Sequence, residues 1–176
     1  QTPAADRLLH AATYALPEFQ TSHGNLMANP GCYATAAILA AAPLVRRKWL
    51  AGIPIFDGKS GLSGAGKKLS DTSHFVTISE NMQTYKLNQH QHIPEIVQQF
   101  QQWDPELTAI QFSTSLIPVN RGIMMTLYVP VAPERTAEDI YQRYQEDYQE
   151  QPFIRLQPLG KLPELRQVTG TNFCDI

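Results

Sequence analysis

The pattern of apolar residues predicts three α-helices. Residues 33–42 are dominated by Ala, Ile and Leu, which have a strong helix propensity, while residues 93–103 and the segment from Thr136 to Tyr148 carry apolar residues at helical spacing. The first segment follows the turn signal Asn29-Pro30-Gly31, so we expect its helix to begin at Cys32 or Tyr33. Pro43 should break or kink this helix, because proline lacks the backbone N–H that an α-helix uses. Thr136, followed by two acidic residues, indicates the start of the third helix.

Runs rich in apolar residues, several of them alternating with polar ones, predict strands at residues 53–56, 76–88, 110–118, 122–131, 153–156 and 168–174. A short turn at Asn120-Arg121 separates two of these runs, which predicts a hairpin of two long strands. The glycine-rich residues 58–71 have no apolar periodicity and are predicted to form a loop. This order predicts an α+β fold with a mixed, largely antiparallel sheet that helices cover on one face.

The run at 122–131 is unusual because both of its faces carry apolar side chains. One face has Ile123, Met125, Leu127 and Val129, and the other has Met124, Tyr128 and Pro130. An exposed apolar face on a folded protein usually marks an interface. We therefore expect the uncovered face of the sheet to be used for self-association into a dimer or tetramer.

The composition supports a folded, single-domain protein. Of its 176 residues, 43% are hydrophobic and 17% are charged, and the net charge is −2 without a basic block, which argues against a general nucleic-acid binder. No apolar run approaches the roughly 20 residues needed to cross a membrane. Two cysteines without a signal-peptide pattern are expected to stay unbridged in a reducing, cytoplasmic compartment.

Cys32 stands where the tight turn meets the first predicted helix. The positive pole of a helix and its unsatisfied N–H groups favour the thiolate, which is the nucleophilic form of cysteine. Gly31 leaves room for a substrate to approach. The alternative is a buried cysteine that acts only as a small hydrophobic residue.

His90-Gln91-His92 places two imidazoles on the same side of an extended segment, just before the second helix. Either imidazole could be an acid or base partner for Cys32, and Glu95 could orient His92 or cap the helix. A zinc site would need a third ligand, such as His74 or Glu95.

The loop from Gly61 to Lys68 nearly matches a phosphate-binding loop, but Lys68 stands where a hydroxyl should meet magnesium and no helical pattern follows. An NTPase is therefore excluded. The glycines still allow close approach of an anion or a cofactor ring, and Lys67 adds positive charge. Arg121, at the tip of the predicted hairpin, could bind a carboxylate or a phosphate if the tip folds toward Cys32.

Four blocks of sequence together resemble one enzyme family, N-acetyl-gamma-glutamyl-phosphate reductase, over residues 16–176. The blocks are Asn29-Pro30-Gly31-Cys32-Tyr33-Ala34-Thr35-Ala36, Lys59-Ser60-Gly61-Leu62-Ser63-Gly64-Ala65-Gly66, His90-Gln91-His92-Ile93-Pro94-Glu95-Ile96 and Pro118-Val119-Asn120-Arg121-Gly122. The Gly-rich fingerprint of the family's Rossmann half does not occur here. We therefore expect residues 17–176 to be an excised catalytic and dimerisation domain, and residues 1–16 to be a remnant of the region that joins it to the cofactor half.

The resemblance implies a fold similar to the C-terminal domain of glyceraldehyde-3-phosphate dehydrogenase and a homo-oligomer. It also implies that NADPH reduces N-acetyl-L-glutamyl 5-phosphate to the 5-semialdehyde, in arginine biosynthesis, through a thioester on a cysteine. The resemblance implies Cys32 as the nucleophile and His92, in preference to His90, as the acid and base. The residues implied to bind the substrate are Asn29, Glu95, Lys67 and Arg121, and those implied to bind the cofactor are Ser60, Gly61, Ser63 and Gly64. No metal is implied.

Two alternatives stay open at this point. Aspartate-semialdehyde dehydrogenase is similar in fold and also uses a cysteine thioester, but the blocks around Gly61 and His90 fit it less well. A chain without its cofactor half could also act purely as an oligomerisation module.

Overall fold

A computed structural model describes residues 12–20, 24–66, 68 and 70–176 of the chain. The chain divides into two compact units, with the boundary between Gly31 and Cys32. In the first unit, the two-residue strands β1 (Thr13–Tyr14) and β2 (Met27–Ala28) pair in parallel. A 3-10 turn, Pro17–Phe19, lies between them along the chain.

The second unit contains all the longer elements. In chain order these are α1 (Cys32–Val45), β3 (Ile55–Ser60), α2 (Phe75–Ile78), β4 (Gln83–Tyr85), α3 (Ile93–Trp103), β5 (Gln111–Leu116), β6 (Ile123–Tyr128), α4 (Ala137–Tyr148), β7 (Ile154–Arg155), α5 (Leu165–Val168) and β8 (Cys174–Asp175). The expected α+β class is confirmed.

The main sheet has the strand order β4-β5-β3-β6. β3 pairs in parallel with β5 and antiparallel with β6, and β4 pairs antiparallel with β5. The sheet is therefore mixed and largely antiparallel, as expected. The predicted hairpin is wrong, because β3 lies between β5 and β6 and the connection from 117 to 122 crosses the end of β3 instead of turning back directly.

One face of the sheet is covered by helices. Facing residues in paired strands point to the same side, so Phe56, Gly58 and Ser60 of β3 share this face with Phe112, Thr114 and Leu116 of β5. Helix α1 packs here through Tyr33 against Gly58, and α3 packs here through Phe100, which stacks on Phe56. The core lies between this face and the helices.

The opposite face is less apolar than the alternation in β6 indicated. Ile55 and Tyr128 lie opposite each other on it and are 45% and 56% exposed. The next position along β3 on this face, Asp57, forms an ion pair with Lys59. Charged groups therefore lie among the apolar side chains of the face that we expected to be uncovered and used for self-association.

Two helices begin where the sequence predicts. α1 begins at Cys32, and α3 has the predicted bounds, Ile93–Trp103. The break expected at Pro43 does not occur, because α1 continues through this buried residue to Val45. In α4 the Thr136 side chain accepts a hydrogen bond from the Asp139 N–H while Asp139 binds the Thr136 N–H, which is a complete capping box.

Three strand boundaries differ from the prediction. Residues 58–60, predicted to begin a loop, belong to β3, where Gly58 makes room for Tyr33. The run at 76–88 contains the one-turn helix α2 and only a short strand, β4. The run at 168–174 is mostly turn, and only its last residue lies in β8. Short apolar runs do not distinguish a single helical turn from a strand.

Candidate functional site

Cys32 is the first residue of α1, and its side chain is exposed. The 14-residue helix behind it leaves the N–H groups of its first turn without partners in the helix, so the positive pole of the helix lies at the thiol. Cys32, Ala36, Ala40 and Leu44 follow each other at intervals of four and line one cavity. A single stripe of α1 therefore forms one wall of that cavity, with the thiol at its end.

The cavity has a volume of about 1080 Å³. Four other residues singled out from the sequence also line it, namely Ser60, Ser63, Gly64 and Arg121. Much of the rest is formed by β6 and by the segment that carries α5 and β8. The fold thus brings the cysteine, part of the glycine-rich loop and the arginine to one space.

Three backbone hydrogen bonds join the two loops beside this cavity. The N–H groups of Gly61, Leu62 and Ser63 donate to the carbonyl oxygens of Gly122, Val119 and Asn120, each at 2.9 Å. A Cβ atom on Gly61 would come within 2.8 Å of the Asn120 oxygen, so a side chain cannot fit there. Gly61 is buried, does not line the cavity, and is needed for the contact between the loops.

The two histidines form a pair on the loop that leads into α3. Their ring centroids are 4.6 Å apart, and His90 Nδ1 accepts a hydrogen bond from the His92 N–H at 3.2 Å. This bond requires a lone pair on Nδ1, so a neutral His90 carries its proton on Nε2. His92 Nδ1 is buried without a hydrogen-bond partner among the residues that the structure describes.

Burial lowers the pKa of His90 to about 4, because the charged imidazolium loses its hydration. Repulsion from His92 and Lys86 lowers this pKa further, while attraction to Glu95 opposes the change. His90 is therefore neutral at pH 7, and the carboxylate of Glu95 acts electrostatically on His90.

Tyr33 is the residue that connects the histidines to the cysteine-bearing helix. It follows Cys32 in α1, and its ring meets those of His90 and His92 edge-on, with centroid distances of 5.4 and 6.4 Å. Neither histidine lines the cavity that contains Cys32. Sequence reasoning missed Tyr33 because an aromatic residue in an apolar helix is typical of an ordinary core position.

Three further residues singled out from the sequence are Glu95, Asn29 and Lys67. Glu95 is in the first turn of α3, and Asn29 is an exposed residue of the first compact unit. Lys67 falls outside the described residues. Within the described ranges, no group of three or more metal-binding side chains occurs, and no helix is both long and apolar enough to cross a bilayer.

Comparison with known proteins gives the family. Residues 32–176 match the family model described as semialdehyde dehydrogenase, dimerisation domain. The chain belongs to this family. The matched region begins at Cys32, the first residue of α1, and coincides with the second compact unit of the chain, so this unit is the dimerisation domain.

Curated relatives of the domain share one description. The N-acetyl-gamma-glutamyl-phosphate reductase of Streptococcus mutans is 55% identical over 166 residues, which are 93% of this chain and 48% of that protein. The enzyme of the same name from Streptococcus sanguinis is 52% identical, and the alignment covers 99% of this chain and 51% of that protein. The chain thus spans about half the length of the curated relatives it matches, and the expected resemblance is confirmed.

Among solved structures, the aspartate semialdehyde dehydrogenase of Francisella tularensis aligns with this chain at a TM-score of 0.69 and 12% sequence identity. The alignment covers 94% of this chain and 60% of the Francisella chain. This likeness confirms the expected fold of the dimerisation domain. At such low identity it carries no information on the substrate.

Proposed function

We propose that this chain supplies the catalytic cysteine and the substrate side of an N-acetyl-gamma-glutamyl-phosphate reductase that acts in arginine biosynthesis. The observation that carries the proposal is the position of Cys32, exposed at the start of α1 in a cavity with Ser60, Ser63, Gly64 and Arg121. Relatives that are 55% and 52% identical are reductases of this name. The cysteine provides the nucleophile, and the similarity supports the acyl phosphate as its substrate.

The chemistry begins with the Cys32 thiolate, which forms a bond to the acyl carbon of N-acetyl-L-glutamyl 5-phosphate. The bond from that carbon to the phosphate oxygen breaks, so inorganic phosphate leaves with the electron pair and Cys32 carries a thioester. NADPH, when bound, supplies the hydride that reduces this carbon. Collapse of the resulting hemithioacetal breaks the carbon–sulfur bond, releases the 5-semialdehyde and returns the thiolate.

Proton transfer in this scheme falls to the histidine pair, with His92 as the base. Nδ1 of His90 already accepts the His92 N–H, so neutral His90 offers a hydrogen-bond donor at Nε2. Within the part of the chain that the structure describes, His92 Nδ1 has no hydrogen-bond partner, and we assign the proton transfer to this atom. In this proposal His92 removes the thiol proton, gives it to the oxygen of the hemithioacetal after hydride transfer, and takes it back from that oxygen when the carbon–sulfur bond breaks. His90 helps to hold the substrate.

Binding of the substrate anions is assigned to Arg121, whose planar guanidinium suits a carboxylate or a phosphate. Arg121 lines the cavity of Cys32, and the three hydrogen bonds between the loops hold its backbone against the glycine-rich segment. We propose Asn29, Lys67 and Glu95 as further residues that bind the substrate.

The glycine-rich segment in the cavity of Cys32 supports a site for a flat cofactor ring. A Cβ atom on Gly64 would come within 2.9 Å of Ser60 Oγ, so the glycine keeps the space beside this hydroxyl open. We assign Ser60, Ser63 and Gly64 to the nicotinamide side of NADPH, with Gly61 supporting the loop. The aspartate semialdehyde dehydrogenase of Candida albicans, described with NADP, shares the fold at a TM-score of 0.54 and 14% identity.

We further propose that the protein is a homo-oligomer in the cytoplasm. The family is described as a dimerisation domain, which supports a homo-oligomer of this chain. We propose the cytoplasm as its location, because a catalytic thiol must stay reduced.

The test measures phosphate release and NADPH oxidation by the full-length protein with N-acetylglutamyl phosphate and with aspartyl phosphate. We expect turnover of the acetylated substrate and its loss in Cys32→Ser, with Cys174→Ser as the matched control. Preference for aspartyl phosphate would identify an aspartate-semialdehyde dehydrogenase instead. Failure to turn over either substrate would leave oligomerisation as the function.

A further inference from the structure

Tyr33 is enclosed in the layer between α1 and the sheet, with 2% of its surface exposed. Its ring lies against the backbone of β3, where a Cβ atom on Gly58 would come within 2.6 Å of Tyr33 Cε1. On another side the ring meets Phe112 of β5 edge-on, with the centroids 6.0 Å apart. The ring therefore has a defined orientation that the sheet imposes.

The hydroxyl of Tyr33 is fixed as well. It donates a hydrogen bond to the Ser115 carbonyl oxygen at 3.3 Å and accepts one from the Tyr85 hydroxyl at 3.4 Å. Burial raises the pKa of Tyr33 far above its ordinary value, and the bond to Tyr85 raises it further. The hydroxyl thus stays protonated and ties α1 to β4 and β5.

The same ring also meets both rings of the histidine pair. His90 lies at a centroid distance of 5.4 Å and an angle of 84°, and His92 lies at 6.4 Å and 64°. His90 is enclosed further by Tyr85 and Phe112, whose ring centroids lie 6.0 and 5.7 Å from that of His90. His92 has fewer ring neighbours, so loss of Tyr33 would free its imidazole more.

We propose that Tyr33 is a positioning residue that fixes the His90–His92 pair relative to the helix start that carries Cys32. The proposal rests on the proposed function, in which these histidines transfer protons for the thiol. Its side chain contacts the sheet at Gly58 and Phe112 and lies against both imidazoles, and the residue directly follows the nucleophile in the chain. A shift of its ring therefore changes the geometry between the acid–base groups and the thiol.

The ring, and not the hydroxyl, makes the contacts with the imidazoles. Tyr33→Phe keeps the ring and removes only the hydroxyl with its hydrogen bonds, including one to Ser60, whereas Tyr33→Leu removes the ring itself. A matched control is Phe100→Leu, which deletes another fully buried ring from the same core, where it stacks on Phe56 and lies beside Trp103. A purely structural role for Tyr33 predicts the same behaviour for both leucine variants.

The first experiment measures steady-state kinetics of the full-length protein with N-acetylglutamyl phosphate and NADPH. We expect Tyr33→Leu to lower kcat roughly 10-fold or more with KM changed by less than about twofold, the pattern of lost catalytic alignment. Tyr33→Phe should stay within about threefold of the wild type. Phe100→Leu should unfold at a lower temperature, as Tyr33→Leu does, but should retain its kcat.

The second experiment follows the imidazole signals of ¹⁵N-histidine-labelled full-length protein by NMR during a pH titration. The titratable groups around His90 are Tyr33 on α1, Tyr85 and Lys86 at the end of β4, and His92 and Glu95 on its own segment. The pKa of His90, which is about 4, should rise by about one unit or more in Tyr33→Leu, because water then reaches the ring. It should stay unchanged in Phe100→Leu.

The outcomes separate the two proposals. If the wild type reduces no acyl phosphate but the His90 titration moves in Tyr33→Leu alone, the proposed function fails and the positioning of the histidines stands. If the wild type is active and the two leucine variants behave alike in kcat and in the titration, Tyr33 is only a core residue. A loss of kcat in Tyr33→Phe as large as in Tyr33→Leu would also overturn the assignment to the ring.

Discussion

The hydroxyl of Tyr148 donates a hydrogen bond to the carbonyl oxygen of Leu39, at 2.5 Å. Leu39 lies four residues before Pro43, so its carbonyl is the one that the missing N–H of the proline leaves without a partner inside α1. Helix α4 supplies the missing donor, and Tyr144 bonds the next carbonyl, that of Ala40. This arrangement explains why α1 continues past a proline that should end it.

Removing that hydroxyl should destabilise the protein. Tyr148→Phe leaves a buried carbonyl without a donor, and we expect the free energy of unfolding to fall by roughly 1–3 kcal/mol. Urea denaturation followed by circular dichroism measures this change. The control is Tyr141→Phe, at a half-buried ring of the same helix, where a change below about 0.5 kcal/mol is expected. Equal losses in both variants would mean that the bond to Leu39 contributes nothing specific.

Cys32 should react with iodoacetamide at neutral pH much faster than Cys174. Cys32 is exposed at the positive pole of a 14-residue helix, whereas Cys174 is half-buried in the two-residue strand β8. Mass spectrometry of tryptic peptides at several times of labelling gives the two rates. Equal rates in the folded protein would argue against an activated thiol at Cys32.

The two histidines should differ in their kinetic roles. In the full-length enzyme, His92→Asn should lower kcat by roughly 100-fold or more with little change in KM, because a general base acts in the transition state. His90→Asn should act mainly on KM. The opposite pattern in steady-state kinetics would assign the base to His90.

The stability of the folded protein should depend on pH through His90. Its pKa is about 4 in the folded state and 6.5 as the ordinary value, so the unfolded chain binds the proton more tightly. The contribution of neutral His90 is therefore fully present above pH 6.5 and is lost as the pH falls through 4, on the order of 3 kcal/mol in all. Urea unfolding across this range should show a smaller decrease for His90→Asn than for the wild type. The variant His74→Asn, at an exposed position, should follow the wild type, and a His90 variant that does so too would contradict the prediction.

The open face of the sheet should be the surface of self-association. Ile55 and Tyr128 lie opposite each other at its end, so Ile55→Arg and Tyr128→Arg should each shift the equilibrium toward the monomer by placing a cation in the interface. Sedimentation equilibrium at micromolar concentration should give two or four times 19.7 kDa for the wild-type chain. Leu87→Arg, at an exposed leucine outside the strands, should leave the mass unchanged. A wild-type monomer, or dissociation caused equally by Leu87→Arg, would show that this face is not the interface.

Local sequence signals predicted local structure well. The spacing of Ile93, Ile96 and Phe100 predicts α3 with its observed bounds, and the turn before Cys32 predicts the start of α1. The order of the strands could not be predicted in this way, because alternation shows that a run is extended but does not show which other run lies beside it. The runs that became β5 and β6 are adjacent in sequence, yet β3 lies between them.

The candidate site could be predicted in composition but not in arrangement. Cys32 and Arg121 carry recognisable chemistry, and both line the same cavity. The role of Gly61 depends on a loop 60 residues later in the chain, with which its backbone makes contact, so no local pattern contains it. The same holds for Tyr33, whose contacts with His90 and His92 arise only when α1, β3 and the loop before α3 pack together.

The central strand β3 has consequences for synthesis of the protein on the ribosome. Both of its neighbours, β5 and β6, follow it in the chain, and the register that pairs Ile55 with Tyr128 needs residue 128 to have left the exit tunnel. Until then β3 has two unpaired edges, which are competent to pair with other nascent chains. The strand that lies between two partners in the finished sheet is therefore open on both edges during translation, and Asp57 and Lys59 provide charges that oppose pairing with other nascent chains.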